Sequence, residues 1–216
     1  MDIKICGLST VESVDAVIAA KATHVGFIFF EKSPRHVTAG LAAELGARAQ
    51  AAGLKSVAVT VNASDAYLDE IVSVMKPDIL QLHGSESPAR VAEIKAKYGL
   101  PVMKAFAISN AEDLAKADAY TDVADRFLFD AKPPKGSDLP GGNGVSFDWS
   151  LLNTLDPSIG YMLSGGLNHD NIVDAIKIAN PTGLDISSGV ESAPGIKDLE
   201  LIAKLFEAIK TARKES

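Results

Sequence analysis

The chain has 216 residues, 47% of them hydrophobic and 23% charged, with a formal net charge of −7 at pH 7. That length suits one large domain or two small ones, and the apolar fraction is ample for a sizeable core. The acidic balance argues against a nucleic-acid or anionic-membrane partner, while leaving room for a local site that takes a small phosphorylated molecule.

In chain order, MDIKICGLST lacks a basic segment followed by an apolar stretch, so no secretory leader is expected, and no apolar run approaches the ~20 residues needed to cross a bilayer. Its Ile3–Cys6 segment predicts the first strand. Cys6 is the single cysteine, which excludes an internal disulfide and every multi-cysteine metal spacing. A cytoplasmic enzyme is the resulting expectation. Val11, Val14, Val17 and Ile18 then recur at helical spacing. Strands follow at His24–Phe29, Ser56–Val61, Ile79–Leu82 and Val102–Ala105, alternating with helices that begin near Ala39, Ser64, Ser87 and Asn110. The second half continues with strands at Arg126–Asp130, Tyr161–Ser164 and Gly183–Ser187, and helices from near Asp148, Asn168 and Lys197. In the last helix Leu199, Ile202, Leu205, Phe206 and Ile209 form the apolar stripe.

Eight strand–helix units imply a parallel sheet with right-handed crossovers. At roughly 27 residues per unit they fit a compact (β/α)₈ (TIM) barrel occupying 1–216 as a single catalytic domain. The rival is an open doubly wound sheet, which would carry a glycine-rich fingerprint after the first strand; the segment there is Gly7-Leu8-Ser9-Thr10. No linker or low-complexity segment divides the chain. The one long loop, Ala131–Ser146, is rich in Pro, Gly and Lys, and loops of that length in compact domains are usually functional or mobile.

Chemistry in such barrels sits at the C-terminal strand ends. Cys6 ends the first strand, Asp130 the sixth, and Gln81 and His83 follow the fourth. Ser164-Gly165-Gly166 closes the seventh and Ser187-Ser188-Gly189 the eighth. Side chains alternate along a strand, so Ile3, Ile5, Phe127, Phe129, Leu184 and Ile186 would face the helices. Lys4, Cys6, Leu128, Asp130, Asp185 and Ser187 would then point into the barrel. Strands one and eight are neighbours in a closed ring, which predicts that Lys4 and Asp185 pair just below Cys6, because either charge buried alone is costly.

These segments resemble the phosphoribosylanthranilate isomerase family over nearly the whole chain. The matching motifs are KICGL at 4–8, GFIFFEKSPRHV at 26–37, VAVTVN at 57–62 and LQLHG at 80–84, then FLFDAKPPKGSDLPGGNGVSFDW at 127–149, MLSGGL at 162–167 and DISSGVESAPGIKD at 185–198. Asn143 departs from the threonine often found in the GGxG segment. The resemblance implies a TIM barrel that performs an Amadori rearrangement in tryptophan biosynthesis without cofactor or metal, as a monomer or homodimer. It implies a cysteine base at Cys6 and an aspartic acid at Asp130. For the acid role Asp130 must keep a protonated fraction, which burial at the mouth would favour. For the base role Cys6 must reach the thiolate, and Lys4 is the nearest source of positive field. Gly165, Gly166, Ser187, Ser188 and Gly189 would form the phosphate grip, with a short helix N-terminus assisting. Arg35 would offer a bidentate donor to the anthranilate carboxylate. Gly141-Gly142-Asn143-Gly144 would close over the sugar.

Simpler readings stand beside these. A lone cysteine is more often an inert hydrophobe, and Asp130 would equally cap or anchor its loop. His83 reads as a satisfied loop histidine supporting the site. Arg35 is alternatively a solvated loop charge or a partner of Glu31. The glycines are alternatively turn residues, and Lys132 and Lys135 read as solvated charges. Two rival functions are another phosphate-handling barrel enzyme, such as indole-glycerol-phosphate synthase or a sugar-phosphate epimerase, and a non-catalytic barrel that binds a phosphorylated metabolite. The synthase would want a lysine at a strand mouth, the epimerase several inward His and Asp ligands.

Overall fold

A computed structural model describes residues 1–133, 136, 140–156 and 159–212. Eight short strands rich in β-branched and aromatic residues, β1 (Asp2–Cys6), β2 (His24–Phe29), β3 (Lys55–Thr60), β4 (Ile79–Leu82), β5 (Val102–Ile108), β6 (Arg126–Ala131), β7 (Tyr161–Leu163) and β8 (Gly183–Ile186), pair in sequence order. All pairs are parallel, and β8 returns to β1 to close the barrel. The connecting helices are α1 (Val11–Ala19), α2 (Ala39–Ala51), α3 (Asp65–Met75), α4 (Pro88–Tyr98), α5 (Ala111–Ala115), α6 (Ile172–Ala179) and α7 (Leu199–Ala212).

Local chemistry sets the helix ends. The side chains of Thr10, Thr38, Ser64, Ser87 and Asn110 each accept from the backbone N–H three residues on, satisfying donors that the first turn leaves unpaired. Two helices differ from expectation. The fifth stops after Ala115 and continues as a 3₁₀ turn over Lys116–Tyr120, and the one expected from Asp148 is a 3₁₀ turn alone, Trp149–Thr154. In the latter, Asn153 and Thr154 are weak helix formers and Pro157 follows closely, so there is neither propensity nor length for an α-helix. The last helix starts at Leu199, within two residues of the expected Lys197. Lys197 belongs instead to a two-stranded antiparallel hairpin, β9 (Glu191–Ala193) with β10 (Ile196–Lys197), turning at Pro194-Gly195.

Strand alternation divides the core as predicted. Ile3, Ile5, Phe27, Phe29, Phe127, Phe129, Leu184 and Ile186 pack in the layer between sheet and helices. Val57, Val59, Met103, Ala105, Leu128 and Met162 fill the barrel interior. At its lower end Arg126 reaches Asp2, 2.6 Å away, across the sheet closure. No described helix is long and apolar enough to cross a membrane.

The register pairs Cys6 with Gly26, and the missing side chain leaves the room that Lys4 and Cys6 occupy. A Cβ at position 26 would lie 2.8 Å from Cys6 Sγ and 3.0 Å from Lys4 Nζ. Gly26→Ala is therefore expected to lose about 1–3 kcal/mol in equilibrium urea unfolding, as overpacked interiors do. An unchanged midpoint would mean that the two side chains have space to withdraw.

Candidate active site

The C-terminal mouth of the barrel holds a half-open pocket. Cys6, Arg35, His83, Asp130, Gly165, Gly166, Asp185, Ser187 and Ser188 all line it. Gly189 does not; it packs backbone-to-backbone against Leu167, tying the loops after β7 and β8 together.

On one wall β1 and β8 hold a charged layer. Lys4 Nζ donates to Asp185 Oδ1 at 2.9 Å, with Lys4 fully buried and the two residues in direct register. The predicted pair is present. Burial opposes the Lys4 charge, but attraction from Asp185 and from a Cys6 thiolate outweighs it and raises the ammonium's pKa. Cys6 sits one layer up, and its carbonyl accepts from Ser187 Oγ at 3.0 Å. Its thiol departs from the simple expectation. Burial pushes the pKa up and outweighs the positive field of Lys4, while Asp185 adds to the upward shift.

On the opposite wall Asp130 is nearly buried. Its Oδ1 accepts from the Ala131 N–H at 2.9 Å and its Oδ2 lies 3.3 Å from His83 Nε2. His83 Nδ1 lies 3.1 Å from Gln81 Nε2. With the Gln81 amide donating, a neutral His83 carries its proton on Nε2 and donates to Asp130. His83 is thus more than a satisfied loop histidine, since it is in contact with the proposed acid. Gln81 Oε1 is buried with no hydrogen-bond partner among the described residues.

Arg35 occupies the rim in a way the sequence did not suggest. It is 4% exposed, so it is not a solvated charge, and its partner is Glu191, not Glu31. Nε and Nη2 donate to the two Glu191 oxygens, each at 2.8 Å. That edge is committed, and the Nη1–Nη2 edge is the one toward Gly142, whose carbonyl accepts from Nη2 at 3.3 Å. Lys197 joins the same carboxylate, Nζ to Glu191 Oε1 at 2.6 Å. The sequence reading missed Glu191 and Lys197; the Pro194-Gly195 turn between them was the available hairpin signal.

Pro140, Gly141, Gly142, Asn143 and Val145 of the long loop also line the cavity, and Gly141 abuts the Asp130 carboxylate. Lys132 reaches Asp113 at 3.1 Å, so it is an anchored rather than a freely solvated charge; Lys135 lies outside the described residues. Gly165 and Gly166 take φ of +91° and +62°, and a Cβ would strike Ala131 N at 2.6 Å and Val145 C at 2.8 Å respectively. Only glycine meets both demands there. The short helix expected beside them is a 3₁₀ turn, Ser188–Val190.

Another buried ion pair lies outside the barrel, behind β4 and β5. Lys104 Nζ donates to the carbonyls of Leu82, Gly84 and Ala105 at 3.2, 2.8 and 2.9 Å, and pairs with Glu86 at 3.2 Å. Glu86 in turn accepts from the backbone N–H groups of Asn62 and Gly84. This network fixes the loop that carries His83.

The family model for N-(5'-phosphoribosyl)anthranilate (PRA) isomerase matches residues 3–208. The chain is 61% identical to N-(5'-phosphoribosyl)anthranilate isomerase of Mesorhizobium japonicum, covering 99% of this chain and 97% of that one. It is also 61% identical to the protein of that name from Agrobacterium fabrum, over 96% and 94%. Among solved structures, phosphoribosyl anthranilate isomerase from Thermotoga maritima superposes with a TM-score of 0.87 at 32% identity, covering 98% and 99%. Another structure of such an isomerase, in complex with reduced 1-(o-carboxyphenylamino)-1-deoxyribulose 5-phosphate, gives 0.84 at 29% identity, with the same coverage.

Asp185→Asn would leave the Lys4 ammonium without its counter-charge. A loss of about 3–5 kcal/mol in urea unfolding is expected, as when one member of a buried pair is removed. The double variant Lys4→Met/Asp185→Leu should recover most of it. Equal losses in the two proteins would show that the pair is not the source.

Proposed function

The chain belongs to the N-(5'-phosphoribosyl)anthranilate isomerase family, and we propose that it catalyses the Amadori rearrangement of N-(5-phosphoribosyl)anthranilate to 1-(2-carboxyphenylamino)-1-deoxyribulose 5-phosphate in tryptophan biosynthesis. The observation that supports this reading is that Cys6 and Asp130, on strands three apart in the ring, both line one half-open pocket at the barrel mouth. An acid and a base acting on one sugar from opposite sides need that separation.

In this mechanism Asp130 gives its proton to the furanose ring oxygen. The C1–O bond breaks as the anilino nitrogen lone pair forms a C1=N bond, leaving an open-chain iminium ion. That cation acidifies C2–H. The Cys6 thiolate takes the C2 proton, the C–H electron pair becomes the C1=C2 bond, and nitrogen recovers its lone pair. The enolamine then tautomerises, O2–H losing a proton and C1 gaining one, which leaves the C2 ketone. His83 holds Asp130 in place, and Gln81 Oε1 is the acceptor for a sugar hydroxyl. Arg35 receives the anthranilate carboxylate at Nη1, since Nε and Nη2 donate to Glu191 and Gly142. The backbone around Gly165, Gly166, Ser187 and Ser188 takes the phosphate, a geometry supported by the two positive-φ glycines. Gly189 serves this grip by holding the two loops in contact.

The proposed setting is one catalytic domain working in the cytoplasm on a diffusible phosphorylated metabolite, as a monomer or homodimer, with neither nucleic acid nor membrane as partner. The test is a direct assay with freshly generated phosphoribosylanthranilate, following loss of its fluorescence. Cys6→Ser and Asp130→Asn should each lower turnover by at least ~10², the low end for removal of a general acid or base. Near-normal turnover in either variant removes that residue from the mechanism. Arg35→Ala should raise KM more than it lowers kcat, and an unchanged KM would contradict the assignment.

A further inference from the structure

The wall that bears Cys6 holds more positive than negative charge. Lys4 on β1, Arg35 in the loop after β2 and Lys197 on β10 are all buried there, against Asp185 on β8 and Glu191 on β9. Three cations therefore face two carboxylates, among the described residues, in a chain whose overall charge is negative. Asp130 and His83 belong to the opposite wall, where they face each other at 3.3 Å.

Lys197 has a connection to Cys6 that the first two cations do not explain. Its ammonium donates to the Ser187 carbonyl at 2.9 Å, approaches Ser187 Oγ at 3.4 Å, and its side chain is 2% exposed. Ser187 Oγ in turn donates to the Cys6 carbonyl at 3.0 Å. One hydroxyl thus stands between the lysine and the backbone of the proposed base. The hairpin is braced from outside as well, because Gly195 packs against the Pro34 carbonyl next to Arg35, and a Cβ there would lie 2.5 Å from that oxygen. Helix capping or solubility does not account for an ammonium sealed at this position.

We infer that Lys197 is a positioning residue for the proposed base: its sealed ammonium is the surplus positive charge that a Cys6 thiolate balances. With Cys6 ionised, three cations meet three anions and the wall is neutral. Glu191 holds Lys197 and Arg35 together and subtracts from the same surplus. Burial draws the Lys197 ammonium below the usual lysine range, and Glu191 and an ionised Cys6 are the groups that pull it back, so the two sites are coupled in both directions. The field itself does not depend on the reaction, but its catalytic use rests on the reading of Cys6 as the base.

Because Cys6 is the single cysteine, its ionisation can be followed by thiolate ultraviolet absorbance with Cys6→Ser as the baseline. Lys197→Met should move the Cys6 titration upward by about one pH unit, the size of one partly screened charge inside a protein. Lys197→Arg should restore it. Glu191→Gln should move it the opposite way, a sign that general loosening of the fold cannot produce and that stays readable if Lys197→Met does not fold. The rising limb of the pH–rate profile should follow each shift. A Cys6 titration that stays in place in Glu191→Gln, or moves upward, overturns the inference. A titration that shifts as expected while the pH–rate profile stays fixed supports the field and instead removes Cys6 as the base.

Discussion

The ion pair between Lys4 and Asp185 spans the seam where the last strand meets the first. Each charge alone inside the barrel would be costly, and the parallel register sets them directly opposite, 2.9 Å apart. Everything above that layer inherits its position. Side chains alternate, so a shift of one residue in β1 would bring Ile3 and Ile5 inward and turn Lys4 and Cys6 toward the helices. The same register that closes the barrel therefore delivers the thiol to the cavity. Gly26 completes the layer by leaving space on the third side.

The arrangement also sets a tension. Enclosing Cys6 protects the site from water, yet burial works against the thiolate, and Asp185, needed to hold Lys4, works against it too. One lysine held by one aspartate is close to neutral as seen from the sulfur. A net favourable field must come from charge not already cancelled, which is why the hairpin after β8 matters. Arg35 and Lys197 share Glu191, so that trio carries a positive remainder to the rim. The hairpin connects binding to ionisation, since the carboxylate that aims Arg35 is the one that holds Lys197.

The strand alternation of the sequence was sufficient to place Cys6, Asp130, Asp185 and Lys4 on the inner face and to anticipate a pair across the seam. That information is local, and period two survives in almost any barrel. What escaped was of two kinds. Partners that no barrel register relates leave no trace in it: Arg35 lies in a loop and Glu191 in a hairpin outside the barrel, and Glu31 was simply the nearer acid. Lys104 escaped similarly, because an outward-facing lysine on a strand gives no sign that three carbonyls and Glu86 enclose it. The other kind was local energetics near threshold. The segments after Asn110 and Asp148 carry helical spacing, but their length and composition do not sustain it: the first is α-helical only to Ala115 before a 3₁₀ turn, and the second is a 3₁₀ turn throughout.

A deeper constraint follows from what the proposed chemistry requires of its two groups. An ordinary carboxyl is a stronger acid than an ordinary thiol by about five pH units, so a carboxyl and a thiol left to themselves would share their proton the wrong way round. A protonated acid facing a thiolate base demands that the two walls differ electrostatically. Here the cations, Lys4, Arg35 and Lys197, gather on the wall of β1, β8 and the hairpin, while the wall of β4 and β6 offers Asp130 a histidine, itself held by Gln81, instead of a fixed charge. Segregation of this kind cannot be built from one strand or one loop. It needs a closed ring, in which strands far apart in sequence stand across a cavity from each other and each wall can be charged independently.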